Sequence, residues 1–146
     1  MKKDYSKIIS KIDIVAEKIY NDFQKTEIPS LVLPTRAKSN IKFNDKLNVW
    51  KYGKGISERS AKSLDGAYML LRTMYMADFI KEMIKLKKSS TLREMYYISE
   101  GWDLAKFHSQ QESNLLAEDL EVITTCMRED FKLCVLIKDS QNHILC

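Results

Sequence analysis

The residue types best suited to chemistry lie in one short run, Thr91-Leu92-Arg93-Glu94-Met95-Tyr96-Tyr97-Ile98-Ser99-Glu100-Gly101-Trp102. Thr91 and Glu94 have the spacing of a capping box, which predicts a short helix running to about Ser99. On a helix that turns about 100° per residue, Leu92, Met95, Tyr96 and Ser99 share one side, and that side faces the core. Arg93 and Tyr97, four residues apart, point together about 130° away from it. The adjacent tyrosines therefore differ: Tyr96 packs and Tyr97 is presented. A phenol beside a guanidinium has the parts needed to attack a phosphodiester. The phenol must lose its proton, and the arginine can stabilise both the phenolate and the charge developing on phosphate. The same two residues also make an ordinary surface contact, and residue types alone do not choose between these readings.

A second set of polar residues opens the next helix, predicted from about Ser109 to Met127. Gln110, Gln111, Ser113 and Asn114 in its first turn are neutral groups suited to phosphates and base edges. The rest of this helix is acidic, which argues against insertion along its whole length. Leu116, Leu120, Ile123 and Met127 form its apolar face. His108 reads as a packing or phosphate-contact residue and Trp102 as core. Three scattered cysteines (Cys126, Cys134, Cys146) and two distant histidines (His108, His143) make neither a disulfide framework nor a Cys- or His-rich metal centre.

The upstream elements must position these groups. Residues 4–26 carry Tyr5, Ile8, Ile9, Ile12, Val15, Ile19 and Phe23 at helical spacing, and Pro29 ends that helix. The stripe is continuous enough to dock a partner, and packing on its own domain is the competing expectation. Leu31-Val32-Leu33-Pro34 is β-like. Asn40–Phe43 and Leu47–Trp50 flank Asn44-Asp45-Lys46 as a β-hairpin, and Gly53 and Gly55 punctuate a basic loop that runs to Arg59. A long helix over 60–87 shows Leu64, Tyr68, Leu71, Tyr75, Phe79, Met83 and Leu86 as its stripe, with Met69, Met74, Met76 and Met83 as core filling. From Leu133 to Ile137 a strand is expected, then a polar turn at 138–142 and a second strand from His143. Three helices followed by such a hairpin is the order of a winged helix-turn-helix.

The whole chain has 146 residues and 45% hydrophobic content, enough to bury a core. No apolar run approaches the length of a membrane span. The basic N-terminus has no apolar h-region or cleavage site, so secretion is not expected and a reduced, cytoplasmic setting is. The net charge of +4 conceals an asymmetry. Residues 34–93 carry 14 Lys/Arg against 5 Asp/Glu, and residues 94–146 carry 4 against 10. A segment with a charge of +9 attracts polyanions, nucleic acid foremost, unless it is merely a solvated lysine surface.

These residues resemble the A subunit of DNA topoisomerase VI, a family related to the meiotic double-strand-break transesterase. The likeness rests on the 91–102 run, on Gln110-Gln111-Glu112-Ser113 and on Glu118-Asp119-Leu120-Glu121-Val122. Weaker echoes lie in Ile28-Pro29-Ser30-Leu31 and in Ser57-Glu58-Arg59-Ser60-Ala61-Lys62. The resemblance implies a mainly α fold with a small β component, a CAP-like winged helix-turn-helix domain preceded by an N-terminal helix and a β-hairpin. In these terms residues 1–33 are a helical extension with a short β segment. Residues 34–59 are the hairpin and basic loop, and residues 60–146 are the winged-helix domain. It implies that Tyr97 forms a 5′-phosphotyrosyl link to DNA with help from Arg93, and that Arg59, Lys62, Gln110, Gln111, Ser113 and Asn114 contact duplex DNA. It also implies a Toprim domain holding Mg²⁺ through a glutamate and an Asp-x-Asp pair, for which this chain has no room. An ATP-binding B subunit, with a second A subunit, completes the implied A2B2 assembly. The alternative is a non-enzymatic winged-helix DNA-binding or interaction module.

Overall fold

The computed structural model describes residues 4–134. The described residues are mainly helical with three small two-stranded sheets. Helix α1 (Tyr5–Gln24) presents Ile8, Ile12, Val15 and Ile19 to the same core that receives Met76, Ile80, Leu116, Leu120 and Phe131. The stripe of α1 is therefore core and is not available to a partner, which corrects the docking expectation for that face. Phe23, expected in the stripe, lies near the helix end and is exposed.

Beyond α1 the chain forms β1 (Ser30–Pro34), then the hairpin β2 (Ile41–Asn44) and β3 (Val49–Tyr52), then β4 (Ile56–Ser60). The hairpin is antiparallel, with Phe43 opposite Trp50 and Lys42 opposite Lys51. Strand β4, expected as loop, instead pairs antiparallel with β1 from Ser30↔Ser60 to Pro34↔Ile56. Its sequence Ile-Ser-Glu-Arg-Ser has no apolar alternation, so only the partner strand reveals it. The base of the hairpin is fastened by Asn40. Its Nδ2 donates to the carbonyls of Thr35 (2.8 Å) and Gly55 (2.9 Å), and its Oδ1 accepts from the Gly55 N–H (2.8 Å). A Cβ at Gly53 or Gly55 would stand 2.7 or 2.9 Å from that oxygen, so glycine permits the close approach.

Helix α2 (Leu64–Lys85) starts at Ser63, whose hydroxyl accepts from the Gly66 N–H. Its inner face is Leu70, Thr73, Met76, Ala77, Phe79, Ile80 and Ile84. This differs from the expected stripe, of which Leu64, Tyr75 and Leu86 are exposed. The helix is apolar on most sides, so periodicity alone could not orient it. The methionines do fill core, with Met76 buried and Met69, Met74 and Met83 packed against it.

The two-residue strand β5 (Ser90–Thr91) leads directly into α3 (Leu92–Ile98), and α4 (Gln110–Thr124) follows. Thr125, with a φ of 54°, ends α4 in a left-handed residue, short of the expected Met127, which is exposed. Strand β6 (Leu133–Cys134) then pairs parallel with β5. The remainder of the expected C-terminal hairpin lies outside the described residues. No described helix is long and apolar enough to cross a membrane.

Charge holds the hairpin module against α4. Asp119 is buried, and its carboxylate accepts from Arg36 Nη2 (2.5 Å) and Arg59 Nε (3.0 Å). Glu118 pairs with Arg36 and Glu121 with Arg128. Three arginines before residue 93, Arg36, Arg59 and Arg72, thus meet acids that follow it. Asp119→Asn should cost about 3 kcal/mol in urea unfolding, at the low end for breaking a buried pair because both arginines keep some water. A second carboxylate joins α1 to β1. Hydrogen bonds from Lys18 and from the Ser30 N–H hold Asp22 below its ordinary value of 3.8. That contribution is complete above pH 3.8 and disappears as pH falls through the lower folded-state value. Asp22→Asn should therefore lower Tm at pH 7, and its deficit against the parent chain should shrink on acidification below that value.

Candidate active site

Helix α3 is positioned before it is presented. Thr91 Oγ1 accepts from the Glu94 N–H (3.0 Å), and Glu94 Oε2 accepts from the Thr91 N–H (2.7 Å), which completes the expected capping box. Leu92 and Met95 are buried beneath it. At the far end Ser99, also buried, donates to the Tyr96 carbonyl (2.6 Å) and accepts from the Phe107 N–H (3.3 Å). These anchors leave one face outward. Tyr96 packs partly against the core, while Tyr97 is 55% exposed. Arg93 Nε donates to Tyr97 Oη at 3.2 Å, and the guanidinium carbon lies 5.8 Å from the ring centroid. A cation donating to a phenolic oxygen stabilises negative charge on that atom.

The pair opens onto a cavity of about 450 Å³, whose lining includes Arg93, Tyr96, Tyr97, Gln110 and Asn114. The first turn of α4 therefore reaches the same cavity as the tyrosine. Gln110 Nε2 donates to Asn114 Oδ1 at 3.0 Å, which keeps the two amides together. Gln111 is exposed but does not line the cavity. Ser113 is fully buried and its hydroxyl donates to the Gln110 carbonyl, so it braces the helix turn from behind. Arg59 is held by Asp119, and Lys62 is exposed 4.0 Å from Glu58; neither lines the cavity.

What orients α4 is a buried arginine that sequence reasoning passed over. Arg72, inside α2, donates Nε to the Lys106 carbonyl (2.9 Å) and Nη1 to Glu112 Oε1 (2.9 Å). Its Nη2 lies 3.0 Å from His108 Nε2. Glu112 Oε2 also accepts from the His108 N–H (2.7 Å), so His108 and the start of α4 are tied to α2. The signal was legible: a lone arginine inside the apolar run Met69–Met76 must be buried with partners. Trp102 sits between Tyr75, Phe79 and Phe107, as a core-packing ring should.

The acids of α4 are engaged by arginines. Glu112, Glu118, Asp119 and Glu121 each face an arginine, and no metal-ligating cluster occurs among the described residues.

With this geometry in place, comparison with known proteins is decisive. The sequence model of the family "Type IIB DNA topoisomerase" matches residues 68–133, the segment holding Arg93, Tyr97, Gln110 and Asn114. The chain is similar to the A subunit of type 2 DNA topoisomerase 6 from Methanosarcina mazei, 52% identical over 120 residues. It is also similar to the proteins of the same name from Methanosarcina acetivorans (54% over 120) and Archaeoglobus fulgidus (49% over 119). The chain belongs to the type IIB DNA topoisomerase family. Each match covers 82% of this chain and 32%, 32% and 33% of the respective relative, so the chain spans about a third of these topoisomerase subunits.

The cap at Thr91 sets where this topoisomerase-family helix begins, so its loss should be measurable. Thr91→Ala should reduce stability by about 1 kcal/mol in denaturant unfolding. Thr91→Ser, which keeps the accepting oxygen, should restore most of it.

Proposed function

We propose that this chain is the DNA-binding and DNA-cleaving part of a type IIB DNA topoisomerase A subunit, with Tyr97 as nucleophile and Arg93 as its charge-stabilising partner. The observation that carries the reading is the Arg93 Nε–Tyr97 Oη hydrogen bond at the edge of a cavity shared with Gln110 and Asn114. In the proposed step Tyr97 Oη loses its proton and attacks the scissile phosphorus. The Oη–P bond forms, the P–O3′ bond breaks, and the departing 3′ oxygen takes up a proton. The product is a 5′-phosphotyrosyl link and a free 3′ hydroxyl. One phosphate ester replaces another, so the reverse step reseals the strand.

Arg93 supports this chemistry by donating to the atom on which charge develops. Gln110, Gln111 and Asn114 supply neutral groups to phosphates and base edges, and the exposed Lys62 contributes positive charge toward the DNA backbone. Ser113 and Arg59 act from behind, by holding the first turn of α4 and its acidic flank. Duplex DNA is the substrate of the reading, a second A subunit cuts the other strand, and a B subunit binds the ATP that drives strand passage. Mg²⁺ belongs in this reading to a Toprim domain outside this chain, since the acids of α4 are held by arginines.

The experiment supplies the chain with a Toprim half from a related A subunit, Mg²⁺ and duplex DNA, and traps covalent adducts under denaturing conditions. The parent chain should be captured on DNA 5′ ends. Tyr97→Phe should abolish capture, Tyr96→Phe should retain it, and Arg93→Ala should slow it by about 10²-fold or more. Adducts on Tyr96, or capture undiminished in Tyr97→Phe, refute the assignment. DNA binding without any capture would leave a non-enzymatic winged-helix module.

A further inference from the structure

The hairpin β2–β3 carries an arrangement that its own fold does not explain. Lys42 and Lys51 face each other directly across the two strands. Side chains opposed in this way stand about 5 Å apart at Cβ, and like charges there repel. With Lys46 they line a concavity of about 530 Å³, together with Phe43, Asn44, Tyr52 and Gly53. None of these three lysines pairs with a carboxylate among the described residues, whereas Arg36, Arg59, Arg72 and Arg128 all do. Asp45 is the one acid in the lining. A cross-strand lysine pair with a third lysine beside it is a place where a bound anion relieves repulsion.

The shape favours a long anion over a small one. Every residue of β3 is exposed and Trp50 is 70% exposed, while Trp50 and Tyr52 also border a cavity at the end of α4, so the lysines are on a ribbon open to solvent. A two-stranded ribbon is one of the forms a B-DNA major groove admits, and the duplex places a phosphate charge about every 1.7 Å along its axis. The base of the ribbon is nonetheless rigid, because Asn40 uses both its amide nitrogen and its oxygen on the flanking segments. The lysines are therefore carried on a stiff arm. Their concavity shares no lining residue with the Arg93–Tyr97 cavity, and the hairpin lies outside the 68–133 family match.

We propose that Lys42, Lys46 and Lys51 form a second DNA contact, a ribbon that grips duplex backbone phosphates away from the cleavage cavity. The proposal rests on the reading of the protein as a duplex-DNA enzyme and adds to it a surface that contributes affinity and not chemistry. The neighbouring aromatic pair Phe43 and Trp50, with ring centroids 5.1 Å apart, stiffens the ribbon beside the lysines.

The test measures binding of the full chain to a linear duplex oligonucleotide across a salt series. The double variant Lys42→Gln/Lys51→Gln is compared with a control of equal charge change on α1 and its C-cap, Lys7→Gln/Lys25→Gln. All four side chains are exposed, and circular dichroism confirms that each variant is folded. Two lost phosphate contacts should lower the slope of log K against log salt by about 1.8, with the control slope unchanged. Equal slopes for the ribbon and control variants overturn the proposal while leaving the duplex-DNA reading intact. Absence of wild-type duplex binding even at low salt overturns both. A ribbon variant that loses only single-strand binding, measured on one strand of the same oligonucleotide, also overturns it and moves the contact to Phe43 and Trp50 as a base-stacking platform.

Discussion

A helix of seven residues cannot hold itself together in water, and the chemistry proposed for this chain rides on one, α3. Nearly everything around it serves to fix where it begins, how it is rotated and where it stops. The capping box at Thr91 and Glu94 sets the first turn, buried Met95 sets the rotation, and Ser99 closes the last turn onto Phe107. The β5–β6 pair pins the entry strand from a distant part of the chain, two residues wide and parallel. Once rotation is set, Tyr97 faces outward with Arg93 beside it, and Tyr96 turns toward the core. One degree of freedom, the helix phase, divides the two tyrosines.

The second organising force is the way opposite charges are sorted. Carboxylates on α4 take up the arginines Arg36, Arg59 and Arg128, while Glu112 takes Arg72. Arginine suits these places because its planar fork can serve two oxygens or two partners at once, as Arg36 does with Glu118 and Asp119. Lysine, a single hydrated point charge, is left on the surface of the hairpin and at the end of α2. The basic excess of the middle segment is thus two populations. One is a set of internal braces, Arg36, Arg59 and Arg72 with Lys81 on Asp13. The other is exposed lysines such as Lys42, Lys46 and Lys51 that pair with no carboxylate among the described residues.

These two features connect. The braces at Asp119 and Glu112 hold α4 against the hairpin module and against α2, and this brings the first turn of α4 to the cavity beside Tyr97. A helix that is acidic along its length but neutral in its first turn can then approach a phosphate with that turn alone. The acids are paired with arginines, Asp119 in the interior, which reduces the repulsion they would offer. The chain, which belongs to the type IIB topoisomerase family and spans about a third of its relatives' length, thus brings Tyr97, Gln110 and Asn114 to one cavity.

Local patterns settled much of this protein. The capping box, the outward turn of Tyr97, the existence of the hairpin and the helical phase of α1 all follow from interactions within a few residues, whereas the hairpin register, with Phe43 opposite Trp50 and not Leu47, did not. The phase of α2 did not follow, because a helix apolar on most sides has no preferred face until its neighbours pack. Strand β4 escaped because its identity lies in hydrogen bonds to β1, on the far side of the whole β2–β3 hairpin in the chain. The fate of Arg59, Ser113 and the acids of α4 was equally hidden, since a charge reads the same in sequence whether it meets water, DNA or a buried partner. Sequence alone determined which residues could do chemistry and which short helix presents them. Only the tertiary structure decided which charges remain free, because burial and ion pairing depend on elements far apart in the chain.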